Sequence, residues 1–219
     1  ARAAHELRTP LAVIMLELGR SQDDRIRRLE GDVRGMSETV DRLLTLARLE
    51  SIEGPETAEI DVGQLTEGIV ARLQAWAESH GHTIRLDVQP PAHALGDVAA
   101  IREAIRNLID NAVKHTPSGT TIAISVGPDA RVVVEDNGPG LPSQQVAELL
   151  QPFKKGNDAT EGAGLGLAIV RQAVDLHHGT LEIETSDLGG AKFTLKFPDR
   201  PASLESPRGP QKSLEIQEA

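Results

Sequence analysis

Two runs of apolar residues spaced by three and four, separated by one polar break and then stopped, constrain this chain more than any other feature. Ala4, Leu7, Leu11, Ile14 and Leu18 make the first run. After the break from Gly19 to Asp24 the spacing resumes at Ile26, Leu29, Val33, Met36, Val40, Leu43 and Ala47. The pattern predicts a helical hairpin with a bundle seam that two helices cannot cover by themselves. The economical solution is a four-helix bundle built from two copies, so a homodimer is expected; the alternative is a hairpin packed on the rest of its own chain. Glu50 to Thr57 is polar and holds Gly54-Pro55, which stops a helix. Residues 1–50 therefore read as one unit and 51–57 as a linker.

A second unit is expected over residues 58–199. Its pattern predicts a helix over Val62–Ser79, a strand over Thr83–Val88 and a helix over Val98–His115 closed by Thr116-Pro117-Ser118-Gly119. Strands follow at Thr121–Val126 and Arg131–Glu135 as a hairpin, then a Gly-rich polar stretch to Gly162. A helix over Leu165–Leu176 and strands over Thr180–Thr185 and Lys192–Phe197 complete an open sheet with helices, class α+β. After Pro198 the chain is rich in Pro, Ser and charge, and 200–219 reads as a disordered tail.

Composition removes several functions. Among 219 residues the net charge is -10, which argues against nucleic acid or an anionic membrane surface as partner, since both need clustered Lys and Arg. No apolar run approaches the roughly 18 residues of a membrane span, so no membrane contact is expected within this chain. With no cysteine there is no disulfide or thiolate site, which suits the cytoplasm. Aromatics are 2%, so the core must be aliphatic.

Ala3 to Ile14, AAHELRTPLAVI, crowds a histidine, a glutamate, a threonine and a proline into the first helical run. In the heptad frame His5 and Thr9 lie one turn apart on the outer face, with Glu6 beside the histidine. Pro10 cannot donate to the carbonyl of Glu6, an expense of about 3 kcal/mol in an ordinary helix interior. A zinc-peptidase helix is excluded because Thr9 stands where H-E-x-x-H needs its second histidine. A carboxylate beside an imidazole can keep one ring nitrogen protonated and leave the other free as a nucleophile. The patch can accept an electrophile.

Three further stretches point to a nucleotide. In NLIDNAVKHT, Asn107, Asn111 and Lys114 share a helix face beside the buried stripe Val98, Ile101, Ile105, Leu108 and Ala112. Amide oxygens suit a hard cation such as Mg²⁺, and a lysine suits the phosphates that the cation bridges. VVVEDNGPG places Asp136 at a strand end, where its carboxylate can accept from the exocyclic amine of adenine, ahead of Gly138 and Gly140. GAGLGLAIV sets Gly162, Gly164 and Gly166 before an apolar helix, where free N–H groups and the helix dipole favour phosphate. It is neither the dinucleotide fingerprint nor a Walker loop.

This ordered set resembles the ATP-binding domain shared by sensor histidine kinases, type II topoisomerases, mismatch-repair ATPases and the ninety-kilodalton heat-shock chaperones. With AAHELRTPL upstream, residues 1 to 199 resemble a two-component sensor histidine kinase: a phosphotransfer hairpin followed by an α/β sandwich of the Bergerat type. The resemblance implies a protein-histidine kinase that uses ATP and Mg²⁺, phosphorylates His5 and passes the phosphoryl group to an aspartate on a response regulator receiver domain. It implies Glu6 as the acidic partner, Thr9 as a residue linked to phosphatase activity, and Asn111 as the Mg²⁺ ligand, with Asn107 in the same box and Lys114 on phosphate. It further implies Asp136 on adenine with Gly138 and Gly140, Phe153 and Lys155 in a lid, and Gly162, Gly164, Leu165 and Gly166 under the triphosphate. Leu150 and Lys155 depart from the family pattern, which more often shows Phe and Arg there. The rivals are a conformational ATPase that modifies no side chain and a scaffold that has lost activity. The implied setting is cytoplasmic, including the cytoplasmic portion of a membrane-anchored sensor.

Overall fold

The structure is a computed structural model that describes residues 14, 24–52, 58–141, 146–154 and 163–198. His5, Glu6, Thr9, Lys155, Gly162, most of the first apolar run, most of the linker and the tail lie outside the described residues.

Helix α1 runs over Asp24–Glu50 and carries the second apolar run. Leu29, Met36 and Leu43, seven residues apart, remain exposed, while Leu46 and Leu49 are buried in the same core as the sheet. One helix thus presents two apolar faces. The three- and four-residue spacing reads out only the first, because Leu46 and Leu49 lie beside the seam and not in it.

Next come β1 (Ala58–Asp61), α2 (Val62–Ser79), β2 (Thr83–Val88), β3 (His93–Gly96), α3 (Val98–His115), β4 (Thr121–Gly127) and β5 (Arg131–Asp136). The chain closes with a single turn, α4 (Val146–Leu149), then α5 (Gly166–Leu176), β6 (Thr180–Thr185) and β7 (Ala191–Lys196). Helices α2 and α3 both start where the sequence supplies a carboxylate cap. Asp61 accepts from Gln64 N at 2.9 Å, and Asp97 accepts from Ala99 N at 2.7 Å and Ala100 N at 3.0 Å. Lys114 and His115 in the last turn of α3 complement its negative end.

The main sheet has the order β2-β4-β5-β7-β6, with β2 and β4 parallel and the other pairs antiparallel. Its inner face is aliphatic but for Phe193: Ile84, Ile122, Ile124, Val126, Val132, Val134, Phe193 and Leu195 are buried in one cluster with residues of α2, α3 and α5. Alternation puts Ala123, Ser125, Glu135 and Lys192 on the other, half-exposed face. The layer of helices over one sheet face is the α+β arrangement expected from the sequence.

Two strands were not legible in the pattern. β1 and β3 form a separate antiparallel pair with Ile60 opposite Ala94. Each is four residues long and alternates only once, too short a run for a period-two signal. Val98, which the helical spacing places on the buried stripe, is 40% exposed because the N-terminal turn of α3 overhangs the core.

Candidate nucleotide-binding site

The site begins where α5 meets α3. Asn107 is buried, 5% exposed, and its amide donates to Glu103 O at 2.8 Å, which fixes its oxygen away from that bond. The first turn of α5 lies against it. A Cβ built on Gly166 would stand 2.9 Å from Oδ1 and 3.3 Å from Nδ2 of Asn111, and 3.4 Å from Oδ1 of Asn107. A side chain at this position would have to displace the Asn111 amide. The asparagine face is therefore no solvated surface; it is the wall on which a helix N-terminus rests. Leu165, fully buried, occupies the cap position of α5 and offers no side-chain hydrogen bond. Among the described residues no side chain caps the leading N–H groups of α5, the condition under which a helix start attracts an anion.

Gly164 joins this corner to the Phe153–Lys154 segment. Its φ is +67°, and a Cβ there would lie 2.6 Å from Lys154 O and 2.9 Å from the carbonyl carbon of Phe153. Phe153 N donates to Gly164 O at 2.9 Å. Phe153 itself has φ +66° and is 60% exposed, so it packs little against the described residues.

At the other end, β5 delivers Asp136, 4% exposed, at its C-terminal edge. Gly138 N donates to its Oδ1 at 2.8 Å and Ala191 N to the same oxygen at 3.3 Å. Gly138 is also squeezed by Thr116, whose Cγ2 would stand 2.8 Å from an added Cβ. Gly140 has φ +75°, and the turn between β6 and β7 packs over it. Asn137 accepts from Thr121 N at 2.8 Å and ties the loop to β4.

Lys114, half-buried at the end of α3, faces α1, where its Nζ lies 3.9 Å from Glu38. One turn earlier Asp110 pairs with Arg42 at 3.6 Å, both largely shielded, and Arg48 reaches Asp97 at 3.6 Å. Asp97 also donates its backbone N–H to Nε2 of His177 at 2.9 Å. His177 Nδ1 lies 2.6 Å from Ala173 O, and since a carbonyl only accepts, Nδ1 carries the proton and Nε2 is the acceptor. Burial lowers the His177 pKa, opposed by the Ala173 hydrogen bond and by Asp97, while His178 adds to the lowering. The ring is held neutral between the end of α5 and the start of α3.

The structure thus brings Asn107, Asn111, Gly164, Leu165 and Gly166 into one corner and Asp136, Gly138 and Gly140 into another, on one domain. Ser186, Gly190, Ala191 and His177 also shape the site's frame, and nothing in their sequence spacing distinguishes them from ordinary turn and helix-end residues.

A glycine-rich helix start seated on paired asparagines, together with a carboxylate held at a strand end, defines a nucleotide-binding domain of a known class. Residues 96–201 match the model of the histidine kinase-, DNA gyrase B- and HSP90-like ATPases, and residues 1–52 match the His Kinase A (phospho-acceptor) domain. The chain is 32% identical to the sensor histidine kinase TmoS of Ectopseudomonas mendocina, over 95% of this chain and 23% of TmoS. It is 35% identical to the probable sensor histidine kinase TcrY of Mycobacterium tuberculosis, over 90% of this chain and 45% of TcrY. Among solved structures, full-length ShkA in complex with AMPPNP superposes with a TM-score of 0.67 at 25% identity, covering 93% of this chain and 46% of ShkA. The chain belongs to the two-component sensor histidine kinases. It spans about half, or less, of the length of the curated relatives it matches.

Proposed function

We propose that this chain is a sensor histidine kinase core that binds Mg²⁺-ATP in residues 58–199, phosphorylates His5 and hands the phosphoryl group to an aspartate of a response regulator. The observation that carries the reading is the contact of Gly166 with Asn107 and Asn111, which puts a phosphate-attracting helix start beside amide oxygens. The donor set suits a hard cation. Asn111, with Asn107 behind it, would hold Mg²⁺, which when bound neutralises charge on the phosphates.

In this reading Asp136 accepts from the adenine amine, and the N–H groups of Gly164 to Gly166 line the triphosphate. Lys114 meets the phosphates as a point charge. The His5 imidazole nitrogen bonds to the γ-phosphorus as the bond from that phosphorus to the bridging oxygen breaks, and ADP leaves. Glu6 accepts the hydrogen bond of the other ring nitrogen, and Thr9 serves a separate phosphatase reaction by orienting a water. Phe153 and Lys155 belong to the lid, with Gly162 at its end. Catalysis rests on positioning, since phosphoryl transfer asks little covalent chemistry of the protein.

Residues 1–50 are proposed as the phosphotransfer hairpin and 51–57 as the hinge that brings ATP to His5. The exposed line Leu29, Met36 and Leu43 supports a homodimer through the hairpin. Among the described residues no helix is long and apolar enough to cross a membrane, which is compatible with a cytoplasmic setting. The match of residues 1–52 to a phospho-acceptor domain favours a kinase over a conformational ATPase.

The test is incubation with γ-labelled Mg²⁺-ATP followed by acid and base treatment of the protein. Label that survives base, is lost in acid and is absent from His5→Ala supports the reading. Label retained by His5→Ala, or turnover with no protein label, overturns it.

A further inference from the structure

Asp136 is not free to turn, and the element that holds it is the β6–β7 turn. Gly190 N donates to Asp136 O at 3.1 Å and Ala191 N reaches Oδ1 at 3.3 Å. A Cβ on Gly190 would overlap both Oδ1 and the backbone oxygen of Asp136. The turn itself is braced from within and from below. Ser186 N donates to Gly190 O at 2.8 Å, Leu188 N donates to Ser186 Oγ at 3.0 Å, and Ser186 Oγ donates to Glu135 Oε2 at 2.7 Å. Ser186 is buried, 4% exposed, a hydroxyl spent wholly on this brace.

Both described hydrogen bonds to the Asp136 carboxylate end on Oδ1. Among the described residues no donor reaches the other oxygen, Oδ2, which can accept from a ligand. We infer that Gly190, braced through Ser186 and Glu135, is a positioning residue for base selection: it locks Asp136 in the rotamer that aims Oδ2 at an exocyclic amine. This rests on Asp136 being the adenine-recognising carboxylate. The selectivity then resides in a turn that touches no part of the nucleotide. A side chain at position 190 must push the carboxylate off its two donors and swing Oδ2 away, and the loss should fall on the amine contact alone.

The experiment compares binding of ATP and of purine riboside triphosphate, which lacks the 6-amino group, to the full chain by calorimetry. Wild type should prefer ATP by about tenfold or more, the worth of one hydrogen bond to a carboxylate. Gly190→Ala should lose that preference, with ATP weakened and the analogue little changed. Ser186→Ala, which loosens the brace without adding atoms, should narrow it in the same direction and serves where Gly190→Ala fails to fold. An undiminished preference in folded Gly190→Ala, or in Ser186→Ala if that is the variant that folds, overturns the inference while leaving the ATP site standing. Equal weakening of both ligands also overturns it. A wild type that binds neither, or does not discriminate, overturns the adenine reading itself.

Discussion

The two ends of the candidate site are built on opposite plans. At Asp136 the carboxylate is caught between backbone N–H groups of the loop after β5 and of the start of β7, so its geometry is settled by close packing before any ligand arrives. At Gly166 and Lys114 the protein offers charge and open donors instead: an uncapped helix start, two amide oxygens and an ammonium group paired with Glu38 of α1. A base is recognised by shape and direction, which demands rigidity. A phosphate is recognised by charge, which tolerates motion and competes with the protein's own carboxylates. The contrast predicts that substitutions at the first end change which nucleotide binds, and those at the second change how tightly any triphosphate binds.

The largest effect is expected at Gly164→Ala. The residue combines φ +67° with a Cβ that would press on Lys154 O, and a left-handed non-glycine costs about 1–3 kcal/mol before that overlap is relieved. Affinity for ATP and for the 6-deamino analogue should fall together, and a titration in which only ATP weakens would break the distinction between the ends. Next comes Asp136→Asn. It keeps an oxygen for the two backbone donors but cannot accept at the other position, so ATP should bind about tenfold to a hundredfold more weakly while inosine triphosphate gains. Unchanged selectivity in that variant would sink the assignment of the rigid end.

A pH effect sharpens the comparison from behind the site, where His177 clamps α5 to α3. Its pKa is lowered by burial, so the unfolded chain takes up a proton before the folded one does. Stability from this clamp is complete above the unfolded value of about 6.5 and falls as pH drops below it, until the folded pKa is passed. The urea midpoint of wild type should therefore drop more between about pH 7.5 and pH 5.5 than that of His177→Gln; equal slopes would remove the clamp from the account. The smallest effect belongs to Glu38→Gln. The Lys114 pair is half in solvent and worth about 0–1 kcal/mol, so triphosphate affinity should rise by no more than about fivefold at low salt and hardly at all at high salt.

Much of this was legible in the residues. Helices over Val62–Ser79 and Val98–His115 appear with the bounds that caps and periodicity predict, and the strands Thr83–Val88 and Thr180–Thr185 do as well. The Asn and Gly boxes were visible because residues poor at forming helix recur at fixed spacing where helix is otherwise strong. The β1–β3 pair escaped notice because four-residue strands carry no period. Gly190 escaped because Gly189-Gly190 in a hairpin turn needs no other explanation until Asp136 is seen beneath it. The Arg42–Asp110 pair joins residues far apart in the chain, and no local pattern encodes such a meeting.

The central claim is that the α5 start, seated on Asn107 and Asn111, receives the phosphates. Two-dimensional amide NMR of the full chain during a Mg²⁺-ATP titration tests it most directly. The account predicts the largest shifts at the N–H groups of Gly164 to Ala168 and at the side-chain amide of Asn111, with adenosine alone moving Gly138 and Ala191 instead. Saturating ATP binding that leaves Gly164 to Ala168 unmoved would contradict it.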